Sequence, residues 1–460
     1  MTRIERLAPA NAKWVATLII GCVAVGLLSG VNPAYGIAAA VGVVFAACAI
    51  SNLTVGVVVF ACLSFLQVLN SNSNTATSFT KVVGLLLFGS WYASTLTATP
   101  PGARISNRTS PMFLIAGVSL LAWSTLSIAW AASTGAVATS ASRYLLNMLL
   151  FPIVLAAVRR REHLLWVLTA FVLGAVVSTV YGFAIPSTSQ AGRLSGGIGD
   201  ANEQAAVLVA AIPMAIGLAV AMRRRLGLRI IAWTSAVVCL AGVVNTLSRG
   251  GLIALGVMML AGVVFGGRWR PWATALLLAT TVSTVAYFVV IAPLGARARV
   301  TNGDTSGRSD LWTIGWRMVQ AHPLTGVGSG NFPVSSIHYL QRPGAIRNAN
   351  LIVDVPHVAH NIYLELLAEL GIPGLVAFLG IVAASLGAAL RAAFEFRRTG
   401  HQELELIARC VVVGLVGFLA ADFFLSGEYS KQLWLVLALC PALLGVARSP
   451  IATAVAGSRP

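Results

Sequence analysis

Residues 204–222, QAAVLVAAIPMAIGLAVAM, contain no charged side chain and are followed at once by Arg223, Arg224 and Arg225. A helix of that length covers a hydrocarbon core about 30 Å thick, and basic residues directly after it are how a span is held on the cytoplasmic side. The pattern recurs along the chain. Apolar runs occur at 14–30, 35–50, 54–69, 81–97, 112–131, 143–158, 164–185, 204–222, 228–246, 250–266 and 272–294, and after a long polar segment at 368–391, 406–425 and 431–447. In lipid each backbone polar group must be satisfied within the protein, which helices achieve segment by segment. The expected fold is therefore an all-α polytopic membrane helical bundle of about 12 to 14 spans, with one long outer-face loop containing short helices.

Composition agrees. The 460 residues are 57% hydrophobic and 10% charged, with a mean hydropathy of +0.85, which excludes a soluble globular chain. The six cysteines (Cys22, Cys48, Cys62, Cys239, Cys410, Cys440) all fall inside apolar runs and read as small buried hydrophobes, not as a disulfide or zinc framework. Met1 to Lys13 carry positive charge ahead of the first run. They could imitate a secretion signal, but with span following span the first run reads as retained.

With the N-terminus placed inside, basic residues collect in alternate loops: Arg3, Arg6 and Lys13; Arg104 and Arg108; Arg159 to Arg161; Arg223 to Arg225 and Arg229; Arg268 and Arg270; Arg397 and Arg398; Arg448 and Arg459. Much of the formal charge of +17 is then topological, a matter of an anionic leaflet and not of nucleic acid. The organisation expected is a transmembrane bundle over 1–294, an extracytoplasmic loop over 295–359, further transmembrane helices over 360–447 and a cytoplasmic tail over 448–460.

The basic residues that break the pattern are informative. They are Arg193 in QAGRLSGGIGDANEQA, Arg249 in TLSRGG, and several arginines between about 295 and 358, where four of the six histidines (His322, His338, His357, His360) also lie. A polar segment of this length between spans is usually functional. Within it Ser309 is expected to cap a short helix from Asp310 to about Ala321, with Leu311, Trp312, Gly315, Met318 and Val319 on one face and Arg308 just before the first turn. His322-Pro323 ends it, and the glycines of GVGSGNF read as a tight turn. That spacing is a weak phosphate-loop signal. PHVAHNIYLELLAELGIPG, residues 356–374, places a His-Asn pair at the mouth of an apolar helix that ends at a glycine.

GRSDLW, AHPLTGVGSGNF and HNIYLELLAELGIPGLVAF, in this order and joined by RLSGGIGDANEQA and TLSRGG upstream, resemble the O-antigen ligase and polymerase superfamily of membrane glycosyltransferases. The resemblance covers roughly residues 190 to 380. It implies a metal-independent transferase, without cofactor, that takes a glycan from undecaprenyl pyrophosphate at the outer face of the cytoplasmic membrane. The acceptor is a sugar hydroxyl on a core lipid or on a second lipid-linked unit, and flippase and glycan-assembly proteins are the expected partners. The family's functional histidine and arginines fall on His360, Arg249 and Arg308.

The residue chemistry fits such a reaction. Guanidinium forks bind the oxygens of a departing pyrophosphate in bidentate fashion, a role for Arg249, Arg308 and Arg193. A histidine near neutrality can take the proton of an attacking hydroxyl, a role for His360, with Asn361 orienting the ring or contacting sugar. Each has a plainer reading: Arg249 as a snorkelling span-end arginine, His360 as a solvent-facing helix start, Arg308 and Arg193 as loop charges. Arg297, Arg299, Arg317, Arg342 and Arg347 read as surface or headgroup contacts. Two other readings compete. Asp354, His357 and His360 give a D-x-x-H-x-x-H spacing that could ligate zinc, but Pro356 delays the helix and no fourth ligand is evident. A polytopic transporter or flippase would also carry this many spans, yet the spans here are nearly free of charge, with Glu365, Glu369 and Asp422 the main acids near helix ends.

Overall fold

The computed structural model describes residues 52–67, 79–97, 111–185, 192–301, 307–340 and 357–449, with a few isolated positions besides. Sixteen α-helices occupy these stretches: α1 Leu53–Leu63, α2 Phe79–Thr97, α3 Pro111–Leu126, α4 Thr134–Met148, α5 Leu150–Ala157, α6 Arg161–Ala184, α7 Ala201–Ala221, α8 Leu226–Asn245, α9 Arg249–Phe265, α10 Arg270–Ala286, α11 Leu294–Thr301, α12 Arg308–Ala321, α13 Phe332–Leu340, α14 Ile362–Arg398, α15 Gln402–Ala421 and α16 Lys431–Ala447. No strand occurs among the described residues. The predicted runs at 14–30 and 35–50 lie outside them, and each other predicted run coincides with a helix.

Among the described residues eight helical stretches are long and apolar enough to cross a membrane, and Leu53–Leu63, Val83–Ala93, Arg249–Phe265 and Lys431–Ala447 are shorter apolar helices. The span expected at 143–158 starts earlier, at Thr134. Its hydroxyl residues join the helix because their side chains bond back to it, Thr139 Oγ1 to the Gly135 carbonyl and Ser142 Oγ to that of Thr139, which hides their polarity. Two spans form the centre, Ala201–Ala221 and Gln402–Phe424, each 83% buried, whereas Gly267–Ile291 is 6% buried and lies on the outside. The central pair approaches closely because Gly414 of α15 faces the Ala210 carbonyl of α7, where a Cβ would stand 2.7 Å from the oxygen. Small residues at such crossings let helix backbones pack without a hydrophobic driving force in lipid.

The helices alternate direction, so their ends sort into two groups. At one end Arg161 and Arg223 pair with Glu403, and Arg268 and Arg409 pair with Glu405. These are the loops expected to be basic and cytoplasmic. The opposite end gathers the starts of α7, α9 and α14, the 192–200 loop and residues 422–430. Five helix starts there carry a polar side-chain cap: Ser133, Asp200, Ser248, Asn361 and Ser430, each satisfying amide groups that a helix leaves open.

Two expectations for the polar segment need correction. Ser309 does not cap α12. Gly307 holds the N-cap position at φ +75°, the left-handed region glycine enters without cost, and Arg308 is the first helical residue. Arg317 is not a surface charge: it is 8% exposed, and its guanidinium donates to the Tyr339 carbonyl at 2.8 Å. The amphipathic face of α12 packs Leu311, Ile314 and Met318 against α13 and α14, so the space over Arg317 is closed by protein. Arg297 donates to the Ala292 carbonyl. Arg342, Arg347 and Asp354 lie outside the described residues, as does the side chain of Arg299.

Candidate functional site

The TLSRGG and HN motifs share a backbone device. Leu247 (φ +49°) and His360 (φ +50°) are the described non-glycine residues in the left-handed region, and each immediately precedes a helix cap. Ser248 Oγ accepts from the Gly251 amide at 3.1 Å, which turns Arg249 into the first residue of α9. Asn361 Oδ1 accepts from the Tyr363 and Leu364 amides at 3.0 and 3.1 Å and starts α14 directly after His360. A bulky residue at positive φ is held there by its surroundings at a cost of order 1–3 kcal/mol, and such positions cluster at functional sites.

Long-range hydrogen bonds bring the motifs together. Trp312 of GRSDLW donates its indole N–H to the Ala359 carbonyl at 3.1 Å, seating α12 against the turn that holds His360. Arg193 reaches from its glycine-rich loop to the Thr246 carbonyl with Nε, at 2.9 Å, and to Asn202 Oδ1 with Nη2, at 2.8 Å. Ser248 Oγ donates to the same Asn202 oxygen, so loop 192–200, the first turn of α7 and the TLSRGG turn form one unit. These described bonds of Arg193 and Asn361 run to the protein itself, and both act on the position of a neighbouring motif.

Electrostatics defines the centre of the cluster. Arg308 interacts with Arg249 and Asp200, and burial together with the Arg249 charge lowers its pKa. His360 interacts with Arg308, Asp200 and His357; burial first, then the Arg308 charge, lowers its pKa below the ordinary value. The first turns of α7, α9, α12 and α14 therefore converge on one place, with two guanidinium groups and a largely neutral imidazole. His360 donates its backbone N–H to Ser426 Oγ at 3.0 Å, and Ser426 in turn donates to the Glu365 carboxylate. The buried Nδ1 of His360 has no hydrogen-bond partner, so no protein group fixes its tautomer through that atom.

The GVGSGNF glycines, read as a turn, have a second use. Gly326, Gly328 and Gly330 all have positive φ, and the loop presents amide N–H groups to a carboxyl side chain that belongs to the protein. Glu369 Oε2 accepts from Gly330 at 2.6 Å and Oε1 from Phe332 at 3.0 Å. The same loop repairs a break in α14. At Gly371 (φ 64°, ψ −168°) the helical conformation is interrupted, so the helix expected to end at a glycine instead resumes and runs on to Arg398. The carbonyls freed by the break are taken by Val327 N–H (Ala368), Gly328 N–H (Glu369) and the Trp123 indole (Leu370), and the Ile372 N–H goes to the Pro323 carbonyl. AHPLTGVGSGNF and HNIYLELLAELGIPG are therefore two halves of one structure.

Among the described residues no three His, Cys, Asp or Glu side chains come together as a metal group. The four described cysteines, Cys62, Cys239, Cys410 and Cys440, are free thiols. Sequence reasoning missed Asp200, Ser426 and the grip on Glu369. The D-A-N-E spacing of a capping box and the Pro373 after Gly371 were the available signals.

Fold and site together describe a multi-pass helical membrane protein with a polar, arginine- and histidine-bearing cluster at one end of its bundle. Residues 234–379 match the family model described as O-Antigen ligase. The match supports the O-antigen ligase and polymerase superfamily to which the motifs point, and the matched stretch contains Arg249, Arg308 and His360. No curated protein matches the chain.

Proposed function

We propose that the protein transfers or polymerises a glycan from undecaprenyl pyrophosphate onto a sugar hydroxyl at the outer face of the cytoplasmic membrane, without a metal ion, as an O-antigen ligase or polymerase does. The observation that carries this reading is that Arg308 lies within electrostatic range of both Arg249 and His360, with α12 seated on the His360 turn by the Trp312–Ala359 bond. Helix N-termini favour anions, and α12, which starts at Arg308, has no side-chain cap. Its opening turn suits a phosphate group.

In the reaction the acceptor oxygen attacks the anomeric carbon as the bond from that carbon to the pyrophosphate oxygen breaks. The hydroxyl proton passes to His360, which its surroundings keep neutral and able to accept it. The electron pair leaves with the pyrophosphate, whose growing charge is met by Arg249 and Arg308. Arg193 and Asn361 are positioning residues that hold the turns carrying Arg249 and His360. The outer-face reading is supported by the opposite end of the bundle, where the arginine-rich loops meet Glu403 and Glu405.

The test uses His360→Asn, because asparagine tolerates positive φ and removes the base with little backbone strain. Transfer of the lipid-linked glycan should fall about 10²- to 10⁴-fold. Arg249→Lys, which keeps charge and loses the fork, should leave the lipid-linked donor unconsumed in cells. Unchanged polymer length and yield in both variants would refute the proposal.

A further inference from the structure

Beside the His360 turn lies a cavity of about 720 Å³, with Val358 and Ser426 in its wall. Its volume is that of a small-molecule pocket, about 300–1,000 Å³. One part is charged, lined by Glu203, Glu365, Glu369 and Glu428 with Arg143 and Lys431. Another part is apolar, with Phe60 of α1 and Leu150 of α5.

The four carboxylates differ in what they already hold. Glu369 has both oxygens occupied by loop amides, Glu365 holds Ser426, and Glu203 faces the charge of Lys431. Glu428 is incomplete: it is 2% exposed, and its Oε2 is buried without a hydrogen-bond partner. Arg143 is within electrostatic reach of it, but the Arg143 guanidinium lies over the Tyr429 ring, 5.2 Å from its centroid. A buried carboxylate oxygen without a donor costs free energy unless a ligand supplies one. Ionised, Glu428 also repels a second anion brought against this part of the wall.

We propose that this cavity is a sugar-binding subsite for the acceptor and that it selects by charge, taking a neutral or amino-bearing sugar and rejecting one with a carboxylate or phosphate. The inference rests on the glycan-transfer reading. A sugar hydroxyl or ammonium group donates to Glu428 Oε2, which places the sugar against Val358 and Ser426, next to the His360 turn. An acidic sugar brings its charge against Glu428 and is repelled.

The test titrates the full-length protein in lipid nanodiscs with three disaccharides by saturation-transfer NMR: a glucosamine disaccharide, its N-acetylated counterpart, and one containing glucuronate. Burial pushes the Glu428 carboxyl up to about 7, so the titration is run at about pH 7.3, where that carboxyl and the sugar amine are both substantially ionised. The glucosamine disaccharide should bind at least tenfold more tightly than the N-acetylated one, and the glucuronate-containing one should not saturate over the same range. Glu428→Gln should erase the preference for the amine while keeping neutral binding. Glu428→Asp, which keeps the charge, serves if the Gln variant does not assemble, and should weaken amine binding severalfold with the ranking kept. Equal or tighter binding of the glucuronate disaccharide, or a preference untouched in whichever variant assembles, overturns the proposal. Arg249→Lys separates the two readings, because it should abolish transfer and leave sugar binding intact. If it leaves transfer intact the glycan-transfer reading fails, whereas lost selectivity with transfer still dependent on Arg249 removes the subsite alone.

Discussion

Replacing Glu369 by Gln keeps the side chain's size and one carbonyl oxygen but turns the other oxygen into a donor facing an amide N–H. In the native protein both oxygens accept, from Gly330 at 2.6 Å and from Phe332 at 3.0 Å. A hydrogen bond to a charged group contributes about 1.5–3 kcal/mol and a neutral one about 1, while a buried donor left without an acceptor costs about 1–3 kcal/mol. One bond lost, with the backbone N–H and the new NH2 both left without an acceptor, comes to at least about 2 kcal/mol, or opening of the 326–332 segment that is about 30-fold or more as frequent. Hydrogen exchange of the Gly328, Gly330 and Phe332 amides in nanodiscs reads that opening directly. The control is Glu395→Gln, which removes only an exposed pair with Arg398 and should change exchange by less than about 1 kcal/mol. If the three amides in Glu369→Gln exchange within about threefold of the native rate, the glycine loop is held by something other than this carboxylate, and the account of it is wrong.

The pH dependence of transfer should have its acid limb below the ordinary histidine value of about 6.5, since burial and Arg308 disfavour the imidazolium and the rate falls as pH drops through the lowered pKa. Arg308→Gln should move that limb upward, and a limb that stays put would uncouple the two residues. Gly326→Ala should abolish folded yield, because at φ +64° its Cβ would stand 2.2 Å from the backbone carbonyl of Glu369. Gly256→Ala, with nothing within 4 Å of the new Cβ, should be neutral or stabilising by up to about 1 kcal/mol, as measured by detergent-extracted yield. At the other end, Glu405→Gln should cost about 3 kcal/mol in thermal unfolding, since that carboxylate is 1% exposed and holds both Arg268 and Arg409. Glu403→Gln, with its carboxylate 25% exposed, should cost less than about 1.

The membrane helices were legible because spanning lipid writes itself locally, as an apolar run of fixed length with basic residues after alternate runs. The charge pattern also marked Arg249 and a group of outer-side arginines and histidines, while the choice of Arg308 and His360 among them came from the motifs that resemble the O-antigen ligase and polymerase superfamily. What could not be read was the use of the intervening residues. Trp123 and Leu370 are far apart in the chain yet bonded through indole and carbonyl, and no periodicity announces such a pair. The glycines of GVGSGNF told only that the backbone must turn; that the exposed amides would hold Glu369 depends on where α14 breaks. Arg193 and Arg317 look like any loop arginine until the carbonyls of Thr246 and Tyr339 are found beside them. Asn361 next to His360 suggested help with the ring, whereas its oxygen is committed to the helix start.

The interruption at Gly371 also constrains the order of assembly. A chain emerging N-terminus first presents Trp123 and the 322–332 loop before the segment that needs them. Until residues 368–372 dock against those groups, several amide and carbonyl groups have no partner, and in hydrocarbon each such group costs several kcal/mol. The final helices are therefore completed on a template already laid down by α3 and the polar segment. A nascent chain halted before residue 362 would hold the receptor without its insert.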